Sequence, residues 1–96
     1  MEETRPMHKK IPEEEFAAFL EVHPPKMLLS RVGYAYCAEG MHVAEREARL
    51  ERLEDAARQK HATQKELESW QSQRQFLDFD WHFNPDSVRN LARRAA

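Results

Sequence analysis

The spacing of apolar residues near the start of the chain predicts a helix. Phe16, Phe19 and Leu20 recur with the spacing of one helical face. The helix is predicted to start at Ile11-Pro12 and the three glutamates that follow. Proline fits the first helical position, and acids suit the positive end of the helix dipole. Pro24-Pro25 ends this helix, because a residue that precedes proline is driven out of the helical region.

A second apolar stripe starts at Pro25 and predicts a helix that ends at Gly40, a common residue just after a helix. Its members are Met27, Leu28, Leu29, Val32, Tyr36 and Cys37. Gly33 lies inside it and lowers its helix propensity by about 1 kcal/mol relative to alanine. Alternation over residues 32–36 leaves a strand at 26–36 as the competing interpretation. Helix is favoured because the chain contains no second good strand to pair with it.

Residues 41–61 give the strongest helical pattern in the chain and contain neither glycine nor proline. Val43, Leu50, Leu53 and Ala57 are spaced by 7, 3 and 4 residues, as on a coiled-coil seam. Arg46 and Lys60 occupy the other seam positions. The pattern therefore predicts either an imperfect coiled coil or one arm of an antiparallel helical hairpin.

Thr63 and Glu66 have the spacing of a capping box, which marks the start of a helix. We expect a break near position 62 and a new helix to about position 75, with Leu67 and Trp70 facing inward. A single long helix through Thr63 remains an open alternative.

Aromatic residues are concentrated between positions 76 and 83, where polar and apolar residues alternate. In an extended chain, alternate side chains point the same way. That face would carry Leu77, Phe79, Trp81 and Phe83. Such an arm would either cover the core or contact a partner. Asn84-Pro85 then predicts the start of a last helix.

Composition predicts a small protein with a thin core. Leu, Ile, Val and Phe number 18 of 96 residues, while 33% of residues are charged and the net charge is only −2. We expect an all-α bundle of four to five helices with a long charged helical hairpin and a short extended aromatic segment. A flexible tail over residues 1–10 would precede a single helical domain over residues 11–96. Since the core is thin, we expect the protein to gain stability by pairing with a partner.

Candidate chemistry is sparse. Cys37 is the only cysteine, which excludes an internal disulfide and favours the reducing cytoplasm. The five histidines are scattered, and the two glycines form no phosphate-binding loop. The sequence therefore predicts no enzyme activity, no cofactor and no metal site. It also has no apolar run long enough to cross a membrane.

The segment Phe79-Asp80-Trp81-His82-Phe83-Asn84-Pro85, followed by Val88-Arg89-Asn90-Leu91-Ala92, resembles a string found in transposition helper ATPases of the IstB type. In those proteins a charged helix similar to Glu45–Arg58 comes first. The present sequence contains no Walker motif, and residues 63–75 lengthen the spacing between the two elements. The resemblance thus implies an adaptor region of mobile-element or replication machinery, without ATP hydrolysis.

These patterns favour a protein-binding module that acts as a small adaptor or inhibitor, with phage or mobile-element origin as one setting. Its predicted aromatic anchors are Phe76, Phe79, Trp81 and Phe83, and its predicted rim charges are Arg46, Arg49 and Arg52. The alternative is a nucleic-acid-binding accessory protein that uses Arg74, Arg89, Arg93 and Arg94. A third hypothesis is a homodimer in which residues 41–61 pair with their copy.

Overall fold

The computed structural model describes residues 10–83, and this part of the chain is all α-helical, with five helices and no strand. The helices are α1 (Glu13–Val22), α2 (Pro25–Leu28), α3 (Arg31–Ala38), α4 (Val43–Gln59) and α5 (Gln64–Phe83). This confirms the predicted all-α class. The predicted N-terminal tail and the last predicted helix, after Asn84, lie outside the described residues.

Helix α1 has its three acids in the first turn as predicted, but Pro12 is the N-cap residue just before the helix and not its first residue. Phe16 and Phe19 are buried, and Phe19 stacks on Tyr36 with ring centres 4.1 Å apart. Lys60 satisfies the C-terminal end of α1, because its Nζ donates to the backbone carbonyls of Leu20, Glu21 and His23. Lys60, which was predicted to lie on a coiled-coil seam, instead connects the end of α1 to the end of α4.

The predicted helix over residues 25–39 is in fact two, and its junction depends on Gly33. Ser30 caps the second piece, α3, by accepting a hydrogen bond from the Gly33 backbone N–H at 3.3 Å. The Leu28 carbonyl oxygen approaches Gly33 so closely that a β-carbon there would collide with it. The apolar stripe was continuous in sequence, but the chain turns at residues 29–30. Gly40 has a φ of 67° and follows the end of α3, as predicted.

Helices α4 and α5 form the predicted hairpin, with a break between them. His61 adopts a left-handed conformation with a φ of 69°, while Ala62 N–H bonds to the Ala57 carbonyl. This is the Schellman arrangement that ends a helix. Thr63 and Glu66 then form the predicted capping box at 2.8 and 3.0 Å.

The core is built from all five helices and buries the predicted seam of α4. Leu50, Leu53 and Ala57 are fully buried inside the monomer, whereas Val43 is exposed. The predicted homodimer through residues 41–61 was therefore based on a seam that the chain covers itself. The buried cluster consists of Phe16, Phe19, Leu28, Leu29, Tyr34, Ala35, Cys37, Ala38, Leu50, Leu53, Ala57, Trp70 and Leu77.

Helix α5 is longer than predicted. We expected it to end near Gln75 and to give way to an extended aromatic segment, but it continues to Phe83. None of the helices between residues 10 and 83 combines the length and apolar character that a membrane span needs.

Replacing Gly33 with alanine should lower the free energy of unfolding by about 1–3 kcal/mol, the usual cost of forcing extra carbon into a closely packed site. At an open helical site the same change raises the free energy of unfolding by up to about 1 kcal/mol. The sign of the change therefore distinguishes a crowded site from an open one. Urea denaturation measures it. Ser72→Ala, at an exposed position of α5, is the control and should stay within about 0.5 kcal/mol of the wild type. A stabilised Gly33→Ala protein would contradict the close approach.

Candidate functional site

The last two turns of α5 carry apolar side chains on opposite sides. Leu77 is buried and Trp81 is partly buried against the core. Phe76, Phe79 and Phe83 are exposed to 74%, 60% and 62%. At about 100° per residue, these three phenylalanines lie roughly opposite the buried side of the helix. We call Phe76, Phe79 and Phe83 the aromatic face.

The helical conformation corrects the prediction of an extended arm. Alternation placed Leu77, Phe79, Trp81 and Phe83 on one side, but 3.6 residues per turn separates them into two sides. Trp81 turns inward: its Nε1–H donates to the Ala38 carbonyl at 2.9 Å. The structure thus divides the predicted anchors: Trp81 packs against the core, and the three phenylalanines lie on the surface.

A network of charged side chains fixes α5 against α3 and α4. Arg46 Nη1 donates to the Tyr34 hydroxyl at 3.1 Å and to Asp78 Oδ1 at 3.2 Å. The Tyr34 hydroxyl itself donates to Asp78 Oδ1 at 2.6 Å. The guanidinium of Arg46 also lies 4.3 Å from the centre of the Trp81 ring. Arg46 therefore bonds to α3 and α5 while belonging to α4.

The same network extends along α5 through Arg74. Its guanidinium donates to Glu54 Oε2 at 3.0 Å and to Glu47 Oε1 at 2.6 Å, and its Nε lies 3.5 Å from Asp78 Oδ2. Glu54 also accepts a hydrogen bond from Trp70 Nε1 at 2.8 Å. Two arginines and three carboxylates therefore connect the inner side of α5 to α4.

The predicted rim charges are not free surface charges. Arg46 and Arg49 are only 8% and 7% exposed. Arg49 Nη1 donates to the Tyr36 carbonyl at 3.0 Å, and its guanidinium lies 4.7 Å from the Phe16 ring centre. Arg52 is more exposed but forms a two-bond pair with Glu13 at 2.8 and 2.6 Å. Arginine stems cover apolar surface readily, and this explains why charged seam positions are buried here.

Of the residues predicted to bind nucleic acid, the structure describes Arg74, which is also bonded within the fold. Arg74 is paired with three carboxylates, which leaves it poorly placed for a phosphate. Arg89, Arg93 and Arg94 lie outside the described residues.

Buried titratable groups belong to the fold. Cys37 is fully buried, and burial strongly raises the pKa of its thiol. Burial, together with the hydrogen bond to Asp78, likewise raises the pKa of the Tyr34 phenol. A neutral buried thiol is a poor nucleophile. From Lys10 to Phe83, no cluster of three His, Cys, Asp or Glu side chains is placed to hold a metal ion.

The surface around the aromatic face carries little formal charge, since Asp80, one turn after Phe76, is only partly exposed. Every exposed residue of α5 from position 69 to 83 is uncharged when histidine is counted as neutral. These residues are Ser69, Gln71, Ser72, Gln75, Phe76, Phe79, His82 and Phe83. The exposed side of α4, by contrast, carries six charged residues: Glu45, Glu47, Glu51, Arg52, Asp55 and Arg58. Loss of charge around exposed aromatics is typical of the centre of a protein interface.

Comparison with known proteins gives no assignment, since the chain matches no protein-family model, no curated protein and no solved structure. The site must therefore be interpreted from its own geometry. A helical period applied to residues 64–83 is the signal that sequence analysis missed. It places Trp70, Leu77 and Trp81 on one side and Phe76, Phe79 and Phe83 on the other.

Replacing Arg46 with methionine should lower the free energy of unfolding by about 2–4 kcal/mol, because Asp78 and Tyr34 lose their bonds to Arg46 and the remaining ion pair of Asp78, with Arg74, is longer. Arg58→Met is the matched control on the same helix. Its pair with Asp55 is exposed at both ends, so the change should cost no more than about 0.5 kcal/mol. Chemical denaturation of both variants measures the difference. Equal effects would show that the network does not stabilise the fold.

Proposed function

We propose that this chain is a non-catalytic protein-binding module, an adaptor or inhibitor, and that the aromatic face of α5 is its contact surface. One observation carries the proposal: three phenylalanines are 60–74% exposed on a helix whose opposite side is already buried in the core. A helix segment that is apolar on both sides is normally covered on both sides.

The size of the aromatic face supports binding. With 150–250 Å² per aromatic side chain, the exposed parts of three phenylalanines present on the order of 400 Å². That is the scale of the functional patches found on monomeric proteins. At about 25 cal/mol per Å², covering it contributes on the order of 10 kcal/mol. Association costs about 4–15 kcal/mol, so a stable complex also needs the apolar surface that the partner buries in return.

The weakly charged surroundings define the kind of partner surface. A binding site for a charged partner would place several opposite charges around its anchors, but the fully exposed neighbours of Phe76 are Ser72 and Gln75, and only the partly exposed Asp80 is charged. We therefore propose an apolar partner surface, such as another helix, and binding that changes little with salt concentration. Phosphate-based recognition would give a steep salt dependence instead.

The setting of this activity is part of the proposal. The described part of the IstB-like string, Phe79–Phe83, forms the last turn of α5 and includes two of the three phenylalanines. This placement supports an adaptor role in mobile-element or replication machinery. The lone buried Cys37 supports a cytoplasmic location.

Capture experiments with matched variants test the proposal. We expect the tagged 96-residue chain to retain a partner from extract of its native cells, and Phe76→Ser/Phe79→Ser/Phe83→Ser to lose it with unchanged thermal stability. A single anchor is worth about 2 kcal/mol, or roughly 30-fold in affinity. Val22→Ser, at a residue 72% exposed on α1, is the control and should bind as the wild type does.

Trp81→Ala provides the second control, because it should lower the melting temperature through the lost Ala38 hydrogen bond and Arg46 contact. Equal capture by the triple serine variant and the wild type would reject the aromatic face as the contact surface.

A further inference from the structure

We propose that the aromatic face binds a second copy of this chain, with the two α5 helices packed antiparallel about a two-fold axis. This inference rests on the proposed function, because it assumes that the face contacts protein. A second copy is then the partner that the face contacts when no other protein is bound.

Charge is the first argument for self-association. A two-fold axis brings the same surface patch of both copies together, so a patch with charges must satisfy its own charges. No fully exposed residue of α5 from Ser69 to Phe83 is charged when His82 is neutral, and Asp80, one turn after Phe76, is partly exposed. With Phe76 opposite Phe79 of the second copy, Asp80 lies opposite Gln75 of that copy, so like charges do not face each other across the axis. The exposed side of α4 carries four acids and two arginines, so pairing it with its own copy would bring like charges together.

Spacing along the helix is the second argument. Phe76 and Phe83, with Phe79 between them, are seven positions apart, or about 10 Å of helix at 1.5 Å per residue. They form one ridge on the exposed side of a helix that is 20 residues long. Ridges of this kind pack into the grooves of a second helix.

A specific register follows from this spacing. When Phe76 of one copy lies opposite Phe79 of the second copy, the antiparallel direction places Ser72 opposite Phe83 of the second copy. The two central pairs are aromatic on aromatic, and each outer pair joins a large side chain to a small one. Alternation of large and small residues is how packed helices fill the space between them.

The area predicts a weak, reversible dimer. The phenylalanines offer on the order of 400 Å² per copy, and Ser72 and Gln75 extend the contact. A standard interface buries about 800 Å² per partner, so the dimer falls below that size. We expect micromolar association. Such a dimer covers the aromatic face at high concentration and releases it to a partner that binds more tightly.

Sedimentation equilibrium of the full chain from about 1 to 300 µM tests the dimer. We expect the mass to rise from 11.4 kDa, the mass of one chain, to twice that value. Phe79→Glu should hold it at the monomer mass, because two buried carboxylates would face apolar rings. Val22→Glu, at an exposed apolar residue outside α5, is the control and should dimerise as the wild type does.

Mixing two variants tests the register. Phe76→Lys and Phe79→Glu should each be monomeric alone, and their mixture should regain association, because the lysine of one copy then faces the glutamate of the other. Circular dichroism should show unchanged helix content, since both positions are exposed. A mixture that stays monomeric while the wild type dimerises would reject the antiparallel register.

A wild-type mass that stays at 11.4 kDa throughout, or a dimer that survives Phe79→Glu, would overturn the inference. The first result would mean that a foreign protein or residues 84–96 of the same chain, and not a second copy, cover the face. Partner capture that depends on the three phenylalanines would still support the proposed function if the chain is monomeric, so the two failures are distinguishable.

Discussion

The position of α5 depends on the ion-pair network centred on Arg46 and Asp78. Arg46 contacts Tyr34 of α3 and Asp78 of α5, and Arg74 ties the same helix to Glu47 and Glu54 of α4. Apolar packing alone specifies the orientation of a helix loosely, because exchanging one apolar contact for another of similar size changes the free energy little. Hydrogen bonds between half-buried ions do not tolerate such a slip, since each unpaired group would cost several kcal/mol.

This constraint connects stability with the proposed function. If α5 turned by one residue, or about 100°, Asp78 would leave Arg46 and the aromatic face would move toward the core. With the network formed, Leu77 and Trp81 complete the interior while Phe76, Phe79 and Phe83 stay on the surface. The polar network therefore determines which aromatic residues stabilise the monomer and which are available for binding. The same arrangement gives a short chain with a thin core a second apolar surface.

The sequence predicted those features that depend on local signals. Pro24-Pro25, Gly40 and the Thr63 capping box each marked a helix boundary that the structure contains. Long-range contacts decided the rest. Alternation over residues 76–83 resembled a strand, but Asp78 and Trp81 find their partners only when α5 stays helical. Arg46 and Arg49 looked like surface charges because nothing in the sequence shows that Trp81 and Phe16 lie beside them. The turn before Gly33 likewise depends on the approach of Leu28.

Amide hydrogen exchange in the last two turns of α5 tests this account most directly. With the network formed, amides of residues 77–81 should exchange nearly as slowly as those of the buried part of α4. In an Asp78→Asn variant, which weakens the bonds to Arg46 and Arg74, residues 77–81 should lose protection while α4 keeps most of its own. Exchange of residues 77–81 at the rate of an unstructured peptide in the wild-type protein would contradict the account.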